Sequence, residues 1–321
     1  MNIQQGVSLK DKNWFQTGGT AEHYAEVTSR EEFMSAADFA RENHYPVFVL
    51  GEGANILISD EGYRGLVVRP VPGESPEILQ SKQESGYEYV ECMAGFQFQK
   101  LIDFCLDNNL LGIEEFSGIP GTVGGSVYIN IHYFEFLLSD FFVGGTVLDI
   151  ESGDISFHEA GWFDFGYDTS KLQNSHYVLV DAKFRVKKTT DLETAYAKGR
   201  RDEIMRHRAN RYPGSHTCGS FFRNFTESDD VYEKLPVVNG RKMIYVAYYL
   251  DKIGVKGSLQ VGDAIVSSRH ANMLVNQGNA TSEDIINLAR EMQQLVKDQF
   301  GFIPQPECQL IGFNEYPLLT S

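Results

Sequence analysis

The chain has 321 residues, 42% of them hydrophobic and 22% charged, and carries a formal charge of −16. That length exceeds one small core and predicts two or three domains of ordinary globular composition. The acidic balance excludes a general nucleic-acid or anionic-membrane binder, since both need a cationic surface, but leaves room for a local cationic pocket around a small anion.

No basic stretch followed by an apolar core opens the sequence, and nowhere do about 18 apolar residues run together, so neither a signal peptide nor a membrane span is expected. The apolar stretch 134–147 is interrupted by Glu135, Ser139 and Asp140 and reads as globular. The four cysteines, Cys92, Cys105, Cys218 and Cys308, lack the close spacing of zinc or redox motifs, so no metal is expected. Scattered free thiols suit a cytoplasmic location.

In chain order, Ser29 and Glu32 have capping-box spacing, and Phe33, Ala36, Ala37 and Ala40 follow at helical intervals. Residues 46–50 read as a buried strand running into Gly51-Glu52-Gly53-Ala54-Asn55, and Leu66-Val67-Val68 as a second short strand. Residues 87–93 predict a strand, and Phe98, Leu101, Ile102, Cys105 and Leu106 form the apolar face of a helix.

The run Phe116-Ser117-Gly118-Ile119-Pro120-Gly121-Thr122-Val123-Gly124-Gly125 reads as a turn bordered by apolar strands. Segments 146–150, 154–158 and 177–186 then predict an antiparallel, strand-rich region. Residues 190–213 are basic and helical in character, and the composition shifts at Tyr212-Pro213-Gly214-Ser215. A last helix starts at Thr281, with Asp284 completing a capping box and Ile285, Leu288, Ala289, Met292, Leu295 and Val296 on its apolar face. Helices and strands without steady β-α-β alternation point to an α+β protein, with expected boundaries of 1–70, 71–213, 214–300 and 301–321.

Two glycine-rich segments carry chemistry. Backbone N–H groups of 51–55 could converge on a phosphate, although a tight turn needing positive φ is by itself the better explanation of that segment. The 118–125 run has four glycines and a proline in eight residues; a backbone so free of side chains can press closely against a flat or anionic ligand. Neither a Rossmann fingerprint nor a P-loop is present.

These segments, with Asn13-Trp14-Phe15, Gly18-Gly19, Ile56-Leu57, Gly112-Ile113-Glu114, Phe165-Gly166-Tyr167, Gly219-Ser220-Phe221-Phe222-Arg223-Asn224, residues 267–276 and Pro306-Glu307, occur in order along nearly the whole chain. The sequence resembles the UDP-N-acetylenolpyruvoylglucosamine reductase (MurB) family, in its shorter subgroup. The resemblance implies a two-part FAD-binding module of the vanillyl-alcohol-oxidase type plus a C-terminal substrate domain. It further implies a soluble enzyme of peptidoglycan precursor synthesis acting on a UDP-sugar, without nucleic-acid or membrane partners.

Non-covalent FAD would then be held by Gly51, Glu52, Gly53, Ala54, Asn55, Ile56 and Leu57, and by Ser117, Ile119, Pro120, Gly121, Thr122, Gly124 and Gly125. The implied reaction has two halves: NADPH reduces the flavin and leaves, then the enolpyruvyl double bond of UDP-N-acetylglucosamine enolpyruvate takes the hydride and a side chain protonates the carbanion. By the same resemblance Ser220 is the proton donor, Glu307 the assisting carboxylate, and Tyr167, Arg223 and Asn224 lie on the substrate side; His270 is either a further substrate-side residue or a structural histidine.

The chain departs from the family pattern at three places. Asp168 stands where the family carries an arginine expected to face the substrate carboxylate, and an aspartate there would repel it. Ile131-His132 opens a segment where the family has small residues, and Phe225 replaces a proline. Three readings follow: a working reductase in which another cation such as Arg223 or Arg208 substitutes; a diverged flavin oxidoreductase with a different substrate; and a flavin-binding homologue without turnover.

Overall fold

The computed structural model describes residues 1–80 and 85–320. The chain forms two compact units, one of Met1–Val7, Glu22–Glu52 and Arg64–Arg208, the other of Ser8–Ala21, Gly53–Tyr63 and Ala209–Ser321.

In the first unit the strands Ile3–Ser8, Thr20–Val27, Tyr63–Pro70 and Val47–Val49 lie side by side in that order, the last two parallel. The helix Arg30–Asn43 starts where Ser29 accepts a hydrogen bond from Glu32 N and stops at His44, which adopts a left-handed conformation. Its Phe33, Ala36, Ala37 and Ala40 are buried against Ala25, Val27, Leu66 and Val68, and small side chains on the helix allow that close approach. A second, antiparallel sheet runs in the order Ile155–Glu159, Phe142–Asp149, Tyr177–Lys188, Tyr87–Met93, Glu77–Gln80. The helix Phe98–Asp107 buries Phe98, Leu101, Ile102, Cys105 and Leu106 in its core. The expected α+β class holds.

The second unit is built round the helix Ser282–Phe300, whose capping box joins Thr281 to Asp284 as the spacing predicts. Ile285, Leu288, Ala289, Met292 and Val296 are buried, whereas Leu295 is 36% exposed. Position 295 lies at the rim of the apolar stripe; Ile286 and Gln293 are buried instead.

Segments distant in sequence are drawn in by particular polar side chains. Asn276 is 1% exposed; its Nδ2 donates to Phe15 O (2.7 Å) and its Oδ1 accepts from Gly278 N (2.8 Å) and Ala280 N (2.9 Å). Asn276→Ala strands three backbone groups, and a loss of about 3 kcal/mol is expected. Chemical denaturation measures it, and a change below about 1 kcal/mol contradicts this account.

Candidate functional site

In the first unit Gly51, at the head of one glycine-rich segment, lies against Thr122 of the other. A Cβ on Gly51 would lie 2.8 Å from Thr122 Oγ1, and one on Gly124 would lie 3.0 Å from Ala94 Cβ. The 118–125 run is not bordered by strands as its sequence predicts. It follows the 3-10 turn Glu114–Phe116 and ends as the short helix Val123–Tyr128. Thr122 caps that helix by accepting from Gly125 N at 3.2 Å, and this cap offsets the weak helix propensity of two glycines. Ser117 is wholly buried, and both its hydroxyl and its N–H donate to Glu114 O, so it shapes the turn and offers no donor to a ligand. Arg208 lies against this run: Nε donates to Gly118 O (3.0 Å) and its guanidinium sits 5.9 Å from the Tyr133 ring centre.

Among the described residues, no backbone N–H from Gly51 to Asn55, nor that of Gly121 or Thr122, donates to a protein acceptor. Asn55 Oδ1 is also buried without a partner. Backbone donors are almost always paired in folded proteins, so a consecutive series of open ones is a nest for anionic oxygens. The arrangement fits a diphosphate-bearing ligand pressed onto bare backbone. Leu57 is fully buried in the second unit's core and lies within the strand paired with Gln309–Ile311, so it supports the segment from behind.

Within the second unit, Ile56–Ile58 runs parallel to Gln309–Ile311, Ile56 opposite Gln309. Asn55 Nδ2 donates to Glu307 O at 3.4 Å. Glu307 N donates to Phe221 O (2.8 Å), Arg223 N donates to Gln305 O (3.0 Å), and Phe222 bridges Pro306. Asn55, Ser220 and Glu307 are thereby gathered on neighbouring backbone. Asn272 fixes the segment that carries Ser220: its Oδ1 accepts from Phe222 N (3.0 Å) and its Nδ2 donates to Phe222 O (2.7 Å). Sequence reasoning did not single out Asn272; a buried asparagine between Ala271 and Met273 was the available signal.

Cys218 and Cys308 flank these two segments and are buried. Burial, then the neighbouring Cys308 thiol and the Glu307 charge, push the Cys218 thiol well above its usual range, so it is a poor nucleophile. His270 is held down to about 4, chiefly by burial and next by the Arg211 charge. Its Nδ1 accepts from Asn272 N (3.3 Å), which leaves neutral His270 with Nε2–H as a donor.

The Arg223 guanidinium forms a two-pronged pair with the Asp229 carboxylate and also donates to Asn224 O (3.2 Å). Asn224 Oδ1 accepts from Val246 N (3.2 Å) at the start of a helix. The hydrogen bond from Arg223 lowers the Asp229 carboxyl to about 2. A depressed carboxyl stabilises the fold fully above its unfolded value near 4 and loses that stability as pH falls towards 2. Asp229→Asn is expected to remove this part of the acid-denaturation profile, on the order of 1 kcal/mol; superimposable profiles of the two proteins contradict it.

Two departures from the sequence pattern have local explanations. Phe225 is buried against Tyr249 and Phe302, and its N–H donates to Ile244 O at 2.9 Å, a bond that proline cannot make. Residues 130–137 form a tight hairpin, His132–Tyr133 against Phe136–Leu137. Its larger side chains have a use, since Ile131 and Tyr133 are buried in the first unit's core. Asn130, Phe134 and Asp168 all have positive φ without being glycine, and strained backbone of this kind collects at functional sites. Asp168 is paired: its Oδ1 lies 3.1 Å from His132 Nδ1, while Tyr167 covers the His132 ring at 4.7 Å.

Open backbone donors along the glycine-rich segments suit a nucleotide cofactor, and the similarity to known proteins specifies it. Residues 21–156 match the FAD binding domain family, and residues 211–311 match the family of the C-terminal domain of UDP-N-acetylenolpyruvoylglucosamine reductase. The molecule is an FAD-containing oxidoreductase.

UDP-N-acetylenolpyruvoylglucosamine reductases of Gloeobacter violaceus and of Synechococcus sp. are 33% and 31% identical to it. Each alignment covers 97% of this chain, and 96% and 95% of the relative. The crystal structure of UDP-N-acetylenolpyruvylglucosamine reductase (MurB) from Thermus caldophilus superposes with a TM-score of 0.74 at 26% identity, over 97% of this chain and 99% of that one. The chain belongs to the UDP-N-acetylenolpyruvoylglucosamine reductase family. None of the described helices is long and apolar enough to cross a membrane.

Proposed function

We propose that this protein is the NADPH-using reductase that converts UDP-N-acetylglucosamine enolpyruvate to UDP-N-acetylmuramate, working in the cytoplasm. The observation that carries the reading is the series of open N–H donors over 51–55, next in the chain to a strand whose parallel partner follows Glu307. Bound FAD supplies hydride transfer between NADPH and the enolpyruvyl double bond. The residues fit it: the main-chain donors from Gly51 to Asn55 and those of Gly121 and Thr122 are open, with little side-chain bulk about them.

In this reading Ser220 gives its hydroxyl proton to the substrate carbon that becomes a carbanion. A serine hydroxyl is a weak acid, so it serves only when held in place, and the Asn272 clamp on Phe222 supports that role. Glu307, half-buried beside Phe221 on the paired segment, assists protonation. Neutral His270, Arg223 and Asn224 are the substrate-side donors, with Arg223 kept rigid by Asp229.

The test is NADPH consumption by the flavin-loaded protein with and without UDP-N-acetylglucosamine enolpyruvate. Substrate-dependent consumption supports the reading. Consumption indifferent to the substrate in a protein that binds flavin overturns it in favour of a diverged oxidoreductase.

A further inference from the structure

His132 and Asp168, both departures from the family's sequence pattern, are each other's partner. His132 Nδ1 and Asp168 Oδ1 are 3.1 Å apart, with side chains 28% and 13% exposed. Among the described residues, the second carboxylate oxygen, Oδ2, is buried with no partner. The imidazole's other nitrogen, Nε2, makes no hydrogen bond to the protein and is not among the buried unpaired atoms, so it opens to solvent. Tyr167 covers the ring at 4.7 Å. The histidine is therefore held at one nitrogen and along one face, and presents the other nitrogen outward.

The support beneath the pair is itself tied to the glycine run. The helix that the run opens ends at Tyr128, whose carbonyl accepts from Ser170 Oγ (2.7 Å) and Gln173 Nε2 (3.0 Å). Gln173 Nε2 also donates to Asp168 O (2.9 Å), and Asn130 Nδ2 donates to Gly166 O (3.0 Å). Asn130 and Asp168 tolerate the left-handed backbone that these bonds require. Six helical residues span about 9 Å, which keeps the pair within reach of a ligand lying along the run.

We propose that His132 binds the carboxylate of the substrate through Nε2, with Asp168 as the residue that positions it. Donation from both ring nitrogens uses the imidazolium, whose charge the Asp168 carboxylate balances. An aspartate that would repel the substrate if it faced it thus acts in the opposite sense, by orienting a cation. Of the other two cations, Arg208 donates to Gly118 O, and the charge of Arg223 is already balanced by Asp229. This inference rests on the function proposed above.

The test compares two ligands on the FAD-loaded protein by titration calorimetry. UDP-N-acetylmuramate carries a carboxylate on its lactyl group and UDP-N-acetylglucosamine has none. His132→Gln, which keeps a polar side chain without charge, is expected to weaken the first about tenfold or more and the second less than about twofold. Asp168→Asn should weaken the first to a smaller extent, with a raised KM for the enolpyruvyl substrate exceeding any fall in kcat. Equal losses on both ligands, or no loss on either, overturn the assignment. If wild type turns over the enolpyruvyl substrate while the variants behave alike on both ligands, only this inference falls; if wild type fails to turn it over, the parent reading falls first.

Discussion

Ser220→Ala is expected to slow the second half-reaction by about 10²- to 10⁴-fold, the usual contribution of a positioned general acid. The measurement is a single-turnover assay in which protein already reduced by NADPH is mixed with the enolpyruvyl substrate and flavin absorbance is followed. Hydride transfer from NADPH needs no proton from Ser220, so the first half-reaction is expected to continue and the two rates to separate. A Ser220→Ala protein whose second half-reaction stays within about threefold of wild type would remove Ser220 from the proton-donor role. Glu307→Gln is a useful companion, because Glu307 N and Phe221 O are bonded through the main chain and the substitution leaves that pairing intact. A slower second half-reaction in both variants marks the carboxylate as a participant beyond its place in the strand pair.

Gly53→Ala is expected to yield protein that retains little or no flavin through purification. Gly53 has φ +68, and a Cβ there would lie 2.6 Å from Asn13 Cα and 2.9 Å from Lys12 O. Both are main-chain atoms that do not give way as a side-chain tip would. A left-handed alanine costs about 1–2 kcal/mol by itself, and the overlap forces the segment to shift. The open N–H groups from Gly51 to Asn55 move with it, and the flavin-to-protein absorbance ratio should fall accordingly. Gly254→Ala is the control. It has φ +76 with no atom near the added Cβ, so it should cost about 1 kcal/mol of stability and keep its flavin. Full flavin content in Gly53→Ala would contradict the role given to this segment.

Much of this protein is legible in the sequence wherever local rules decide. The Ser29 cap and the Thr281 capping box mark the two helix starts, although Glu32 turns its carboxylate to Thr28 rather than Ser29, and the apolar spacing of Phe98, Leu101, Ile102, Cys105 and Leu106 marks a buried face. These signals act over one to three turns of chain, where hydrogen bonding and side-chain periodicity leave few alternatives. Glycine density at 51–53 and 118–125 likewise identified bare backbone suited to a cofactor.

Long-range pairing was not legible. The parallel pairing of Ile56–Ile58 with Gln309–Ile311 depends on chain closure, which no local pattern encodes. The same holds for Asn276 reaching Phe15 and Asn272 clamping Phe222. The helical second half of the glycine run required Thr122 to cap it, a contact that outweighs the propensity of Gly124 and Gly125.

Position 168 shows the division most plainly. From sequence, Asp168 is a negative charge where a positive one is wanted, and His132 a bulky residue where small ones are usual. Separated by 36 positions, the two carry no mark of each other. Only the fold, by tying the 165–173 loop to the end of the Val123–Tyr128 helix and the 130–137 hairpin, brings their side chains to 3.1 Å. The sequence alone determined the family, the cofactor and the residue types available to a site. The tertiary structure decided which of those residues meet, because electrostatic sense depends on what lies within a few ångströms in space and not on order along the chain.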